Sequence, residues 1–246
     1  MTLEGNKCSM TTVVQPFPWF DESTIEQQHD IIVSKNQELR DHLEIFHGVF
    51  EVLHKCLRNH PYAGNTEALV TLRFIARVFN TTGACLKLAR AGYFQPAFAM
   101  IRDLLEIEFL ADLFTRDREH FRQWIRADAK VRKKEFKQVV VRDTLDKLDG
   151  LTSKKRAEAY ALLSTHATHI DLDGFQIISP NSMTEIGPFP SEKILTAVFQ
   201  ELAKHIQYVC IHLTKLLTPT DPEVLAAISA LDQALHRWRA KYSVAV

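Results

Sequence analysis

The spacing of apolar residues most constrains what this chain can fold into, because they recur every three or four positions over long windows. That spacing is the period of an α-helix with one buried face. Only eight glycines occur among the 246 residues, so little interrupts the pattern. The sequence predicts an all-α protein, a bundle of about seven helices.

Capping residues and prolines place the ends of these helices. Asp21 to Ser23 begins the first helix, and "NHP" ends it near Asn59. We expect helices at about 21–59, 65–92, 96–114, 117–150, from 152 into the stretch 160–175, at 191–217 and at 221–241.

Two segments fall outside the helical pattern. Residues 1–20 are predicted to form an extended arm, since Pro16 and Pro18 hold "VVQPFPWF" out of a helix. Residues 170–190 contain several glycines and prolines around "FQIIS", which predicts an irregular segment or a short β-hairpin. No repeat or linker divides residues 21–246, which we expect to form a single helical domain.

Charge and composition exclude some general modes of action. Thirty basic and thirty acidic residues give a net charge of zero, so no overall field recruits nucleic acid or an anionic membrane. The four cysteines show no metal or redox spacing, and no apolar stretch is long enough to span a membrane. We expect a cytoplasmic protein without a cofactor or a membrane partner. A homo-oligomer is compatible with the sequence, which does not define the oligomeric state.

The helix at 96–114 is apolar almost all the way round, which is typical of a central helix. Arg102 and Glu106 lie four residues apart on it and are expected to form a buried ion pair. Tyr160 and Ser164 share a face of the fifth helix and are expected to contact that pair. His166 or His169 would lie at the mouth of the resulting polar pocket. Such a pair either fixes helix packing or forms a ligand site, and the sequence leaves both open.

The predicted helix at 117–150 has a basic side and an apolar side. Residues 116–142 hold ten basic and four acidic residues. This face is either solvated or binds nucleic acid or another phosphate-bearing partner. The candidate anion-binding residues are Arg118, Arg122, Arg126, Lys130, Lys133 and Lys137.

Two groups of residues raise the question of metal binding. The first, His166, His169, Asp171 and Asp173, offers nitrogen and oxygen ligands for a metal-dependent hydrolase, although such residues also cap helix ends. The second group repeats Glu-x-x-His on the first helix, but opposite its apolar face, so it is expected to face solvent or a partner. Its members are Glu44, His47, Glu51 and His54.

Residues 85–175 also carry a family resemblance. "LKLARAGYFQPAFAMIRDLLEIEFLADLF", a tryptophan-containing basic helix and "YALLSTHATH" together resemble an uncharacterised family of bacterial helical proteins. The resemblance selects Arg102, Glu106, Tyr160, Ser164 and one of the two histidines, and it implies an alternative function as a HEPN-like, metal-independent ribonuclease. The HEPN superfamily needs an arginine followed by histidine after four to six residues. Only Arg40 and His47 meet that spacing, at a frequency that chance also supplies.

Overall fold

A computed structural model describes residues 20–61, 64–167, 172–180 and 183–242. Within these ranges the chain forms ten α-helices and one 3₁₀ helix, Asp173–Ile178, and it contains no β-strand. The α-helices are α1 (Glu22–Lys35), α2 (Gln37–Asn59), α3 (Thr66–Arg90), α4 (Phe94–Arg116), α5 (Arg118–Arg126), α6 (Ala129–Glu135), α7 (Gln138–Leu148), α8 (Lys155–Ala167), α9 (Glu192–Leu217) and α10 (Pro222–Tyr242). The predicted all-helical bundle is confirmed.

Helix α4 is the centre of the bundle. It packs against α3 and α9 and also contacts α7 and α8, while α10 packs on α2. Its side chains Ile101, Leu104 and Leu105 are fully buried or nearly so. Contacts on several sides explain why α4 is apolar almost all the way round, because a helix without a solvent face gains stability from apolar side chains in every direction.

The predicted first helix is divided at Asn36 into α1 and α2. The backbone of Asn36 is extended, with φ −101° and ψ 113°. Its N–H donates to Ile32 O at the end of α1, and its side-chain oxygen accepts from Leu39 N at the start of α2. A residue that caps two helices at once ends one and begins the other without an intervening loop.

The predicted fourth helix is divided into α5, α6 and α7, so the prediction of about seven helices was wrong. Ala127 is extended, and Asp128 then caps α6 by accepting from Val131 N at 2.8 Å. Lys137, with ψ 144°, separates α6 from α7. Since each break changes the helix direction, the basic residues do not share the single continuous helix face that the sequence predicted.

Of the two alternatives predicted for residues 170–190, an irregular segment or a short β-hairpin, the hairpin is not found in the part of this segment that the structure describes. The first four residues of "FQIIS" lie in the 3₁₀ helix, and Ser179 ends it by donating its N–H to Gln176 O at 3.3 Å. Glu185 N then donates to Ile178 O at 2.9 Å and closes a loop. Pro180, Pro188 and Pro190 have no N–H to donate to a strand ladder, which favours local turns over strand pairing.

Two further features concern the core and the surface of the described residues. Cys56, Cys85 and Cys210 are buried free thiols. None of the helices seen in these ranges is both long enough and apolar enough to cross a membrane.

Candidate functional site

A polar cluster joins the centre of α4 to α8. Arg102 Nε donates to Ser164 Oγ at 2.9 Å, and Arg102 Nη2 donates to the hydroxyl of Tyr160. That hydroxyl donates to Glu106 Oε1 at 3.0 Å, and Glu106 also pairs with Arg102 at 3.0 Å. The structure thus brings together four of the six residues that the sequence singled out. We call them, with Arg142, the tyrosine cluster.

The tyrosine cluster is less buried than the sequence indicated. The side chains of Arg102 and Glu106 are 24% and 29% exposed, whereas Ser164 is buried. The expected ion pair is therefore present, but its two side chains are partly exposed and not buried. Both side chains are long enough to lie against α8 with their apolar stems while the charged ends reach the edge of the interface.

Arg142 of α7 is a member of the tyrosine cluster that the sequence did not reveal. Its Cζ lies 4.2 Å from the centre of the Tyr160 ring, and Arg102 Cζ lies 4.7 Å from the same centre. Nε and Nη1 of Arg142 are buried without a hydrogen-bond partner among the described residues. The sequence predicted one continuous helix over 117–150, whereas the structure divides it into three. No sequence signal therefore placed Arg142 beside Tyr160.

The electrostatics of the tyrosine cluster keep Tyr160 neutral. Burial and the hydrogen bond to Glu106 raise the pKa of Tyr160, and together they outweigh the opposing effect of Arg102 and Arg142. A neutral phenol between two guanidinium groups can donate a hydrogen bond, but it is a poor nucleophile. The donors that this arrangement leaves open among the described residues are Nε and Nη1 of Arg142, and guanidinium donors of this kind suit the binding of an anion.

The proposed metal ligands fall largely outside the described residues. His169 and Asp171 lie outside them, and the side chains of His166 and Asp173 are likewise not described. The described ranges contain no group of three or more potential ligand residues arranged to hold a metal ion. The hydrolase alternative and the choice between the two histidines therefore stay predictions.

The Glu-x-x-His residues of α2 are all exposed, as their position opposite the apolar face predicted. Glu44 pairs with Arg237 of α10 at 2.6 Å, and Glu51 pairs with Lys55 at 3.1 Å. On the same helix, Arg40 donates to Gln37 at 2.6 Å and to the carbonyl of Ser34. These interactions give Glu44, Glu51 and Arg40 partners within the fold.

The candidate anion-binding residues divide into a paired and an unpaired group. Arg122 donates to Glu67 of α3 at 2.9 Å, and Arg118 donates to Leu216 O at 2.9 Å while lying 3.6 Å from Glu67. These two arginines tie α5 to α3 and α9. Glu67 is distant in sequence, and nothing in the spacing of residues around it indicated this partnership.

The unpaired group lies in residues 126–137, which we call the cationic segment. This segment contains six basic and two acidic residues. Its side chains Arg126, Lys130, Lys133 and Lys137 are exposed, and none has an ion-pair partner in the described part of the chain. Lys134 pairs with Glu135 at 3.0 Å, and Arg132 lies over the Trp124 ring, 5.5 Å from its centre.

A small cavity of about 370 Å³ adjoins the cationic segment. Its lining includes Val131 of α6, Phe136 directly after α6, and His120 and Gln123 of α5. His120 Nδ1 lies 2.8 Å from Asp117 Oδ2, which orients the imidazole ring. The cavity therefore offers aromatic rings and polar groups next to the cationic segment.

Comparisons with protein-family profiles, with curated proteins and with solved structures found no match. The resemblance to a bacterial helical family and to the HEPN superfamily thus stays a prediction from short motifs.

Proposed function

We propose that this chain binds single-stranded nucleic acid, with the cationic segment contacting the phosphates. Four exposed cations without an ion-pair partner carry this proposal: Arg126, Lys130, Lys133 and Lys137. In a chain whose net charge is zero, they concentrate positive charge in one place. Contacts with a polyanion release its counterions, and that release is the main source of sequence-independent affinity.

One feature favours a polymer over a small phosphate ligand. The four cations are spread over the end of α5, α6 and the residue before α7, and all four are exposed. A polymer presents a phosphate to each of them in turn. The setting that this proposal assumes is the cytoplasm, where RNA is abundant and the buried thiols would stay reduced.

The cavity beside the cationic segment favours single strands over a duplex. At about 370 Å³ it lies within the usual size range of small-ligand pockets, and it is lined by Phe136 and His120. Only an unpaired base can leave its strand to stack on such side chains and use polar groups such as Gln123. The phosphate contacts would then supply affinity, and the cavity would select unpaired regions.

A charge-matched pair of variants tests this proposal. We expect the triple variant Arg126→Gln, Lys130→Gln, Lys133→Gln to bind a single-stranded RNA oligonucleotide more weakly in fluorescence anisotropy. Each lost contact lowers the slope of log K against log salt by about 0.7 for a single strand, so three contacts lower it by about two. The control, Lys35→Gln, Arg58→Gln, Lys193→Gln, removes the same charge from exposed positions elsewhere and should leave the slope unchanged.

Three results would contradict the proposal. They are an absence of binding at low salt, an equal loss in both triple variants, and preferential binding of a duplex of the same length. Electrophoresis of the RNA after the assay separates binding from cleavage. Shortened RNA in the presence of a chelator would favour the HEPN-like ribonuclease alternative.

A further inference from the structure

An apolar groove with a volume of about 1210 Å³ lies between α8, the 3₁₀ helix and the start of α9. We call it the apolar groove. Three of its side chains are strongly exposed, with Leu162 at 56%, Leu172 at 81% and Phe175 at 45%. Scattered exposed leucines are ordinary, but an exposed apolar patch that also forms a concave groove is typical of a binding surface.

The first described residue of the chain lies at one edge of this groove. The ring of Phe20 rests on the backbone of Gly187 and leaves no room there for a side chain. Phe189, which lines the groove, follows two residues later, a separation of at most about 7 Å. The chain that precedes Phe20 therefore starts beside the groove.

A hydrogen bond fixes this arrangement. Ser191, another residue of the groove lining, donates its backbone N–H to His29 Nε2 at 3.0 Å. His29 is fully buried on α1, and its other ring nitrogen lies 2.7 Å from Arg90 O. The start of α1 is thus held against the groove edge by a buried side chain as well as by Phe20.

The preceding residues 13–19, "VVQPFPW", have the composition that the groove requires. They carry two valines, one phenylalanine and one tryptophan, and no charged residue. Two prolines favour the polyproline II conformation, in which seven residues extend about 22 Å. Extended proline-containing segments bind aromatic-lined grooves at a low entropic cost because they are already ordered.

The charges around the groove also suit an uncharged occupant. Glu201 is the acidic residue that α9 contributes to the lining, and it pairs with Lys204 at 2.5 Å and lies 3.7 Å from His205 Nε2. Because its carboxylate is already compensated, an apolar segment can bind beside Glu201 without separating it from its partners. Glu185 and Lys193, which also line the groove, are both exposed, so their charged ends can stay hydrated at its rim.

We propose that residues 13–19 dock in the apolar groove of their own chain, with Phe17 and Trp19 packed against the side chains of α8 and the 3₁₀ helix. This inference is independent of the proposed nucleic-acid binding, which involves a different surface. Docking would cover the exposed apolar side chains that line the groove, Leu162, Leu172 and Phe175.

Fluorine NMR of the full chain labelled with 5-fluorotryptophan tests this docking. The chain has three tryptophans, and the variant Trp19→Phe identifies the resonance of Trp19. We expect that resonance to lie away from its position in the urea-unfolded chain. The variant Leu162→Ser should move it toward the unfolded position, because losing one buried leucine lowers the docking equilibrium roughly tenfold. The control Leu225→Ser changes a leucine of similar exposure on α10 and should not move it.

Leu162 and Leu225 are both about half exposed, so these substitutions leave the fold intact, and circular dichroism verifies this. A Trp19 resonance at the unfolded position in the wild-type protein would overturn the proposal, as would an equal response to both leucine variants. A Trp19 shift that disappears on dilution would identify the groove of a second copy as the docking site, and would overturn docking within one chain. A co-purified lipid in the groove, seen by native mass spectrometry together with an undocked Trp19, would also overturn it.

Discussion

Arg102 has three different partners, two of which connect α4 to α8. Its guanidinium reaches Ser164 and Tyr160 on α8 and Glu106 on its own helix. Because the carboxylate of Glu106 also accepts from Tyr160, removal of Arg102 leaves that carboxylate with this hydrogen bond but without the cation that pairs with it directly. The partial exposure of both charged side chains lets water replace part of what is lost.

We therefore expect Arg102→Met to lower the free energy of unfolding by about 1 to 3 kcal/mol, less than the cost of breaking a fully buried pair. The double variant Arg102→Met, Glu106→Leu should recover part of this loss, since no carboxylate is left without its cation. Urea denaturation measures all three proteins. Arg77→Met is the matched control, because Arg77 pairs with Asp103 while 61% exposed, and it should cost at most about 1 kcal/mol. Strict additivity in the double variant would contradict a direct interaction between Arg102 and Glu106.

Two histidines, the buried His29 and the partly buried His205, connect helices through opposite protonation states. Burial lowers the pKa of His29, which accepts from Ser191 N and so joins α1 to α9 as a neutral ring. Burial alone would also lower the pKa of His205, but the carboxylates of Glu108 and Glu201 raise it to about 9. His205 therefore joins α9 to α4 as a cation, at 2.8 Å from Glu108.

The two protonation states predict that the contributions of His205 and His29 to the free energy of unfolding depend on pH in opposite directions. The pKa of His205 is raised on folding, so its contribution is full below about pH 6.5 and is lost as the pH rises toward 9. The destabilisation caused by His205→Gln should thus shrink by up to about 3 kcal/mol over that interval. The pKa of His29 is lowered on folding, so its contribution is present above about pH 6.5 and the effect of His29→Gln should shrink as the pH falls below that value. Urea denaturation of both variants from pH 5 to 9 checks this; parallel curves would contradict it.

The sequence predicted which long helices exist better than it predicted where a helix is interrupted. Apolar periodicity located every long helix and the central position of α4, because burial on one or several sides directly selects apolar residues. The breaks at Asn36 and Ala127 were missed, since a capping side chain inside a polar stretch looks the same as a solvated helical residue. Asn36 also donates to Glu192 of α9 at 3.1 Å, a contact that no local pattern contains.

The same limit applies to the candidate sites. Arg102, Glu106, Tyr160 and Ser164 could be grouped because each pair is spaced four residues apart on one helix and α4 is apolar around them. Arg142 could not, since its position depends on the direction of α7 after two helix breaks. The pairing of Arg118 and Arg122 with Glu67 likewise depends on how α5 packs against α3.

The whole molecule combines electroneutrality with an uneven distribution of charge. Some basic side chains, such as Arg116 and Arg156, pair with acids, here Asp112 on α4 and Asp146 and Asp149 at the end of α7. Other exposed cations without an ion-pair partner in the described residues, such as Lys35, lie apart from one another, whereas the cationic segment holds four within residues 126–137. Charges that stabilise no contact within the fold are available to a partner of opposite charge.

The salt dependence of RNA binding by the wild-type protein tests this account most directly. We predict that log K falls linearly with log salt between about 50 and 200 mM for a single-stranded RNA, measured by fluorescence anisotropy. Four phosphate contacts at about 0.7 each give a slope near −3. A slope near zero, or no detectable binding at the lowest salt concentration, would contradict the assignment of the cationic segment as a phosphate-binding surface.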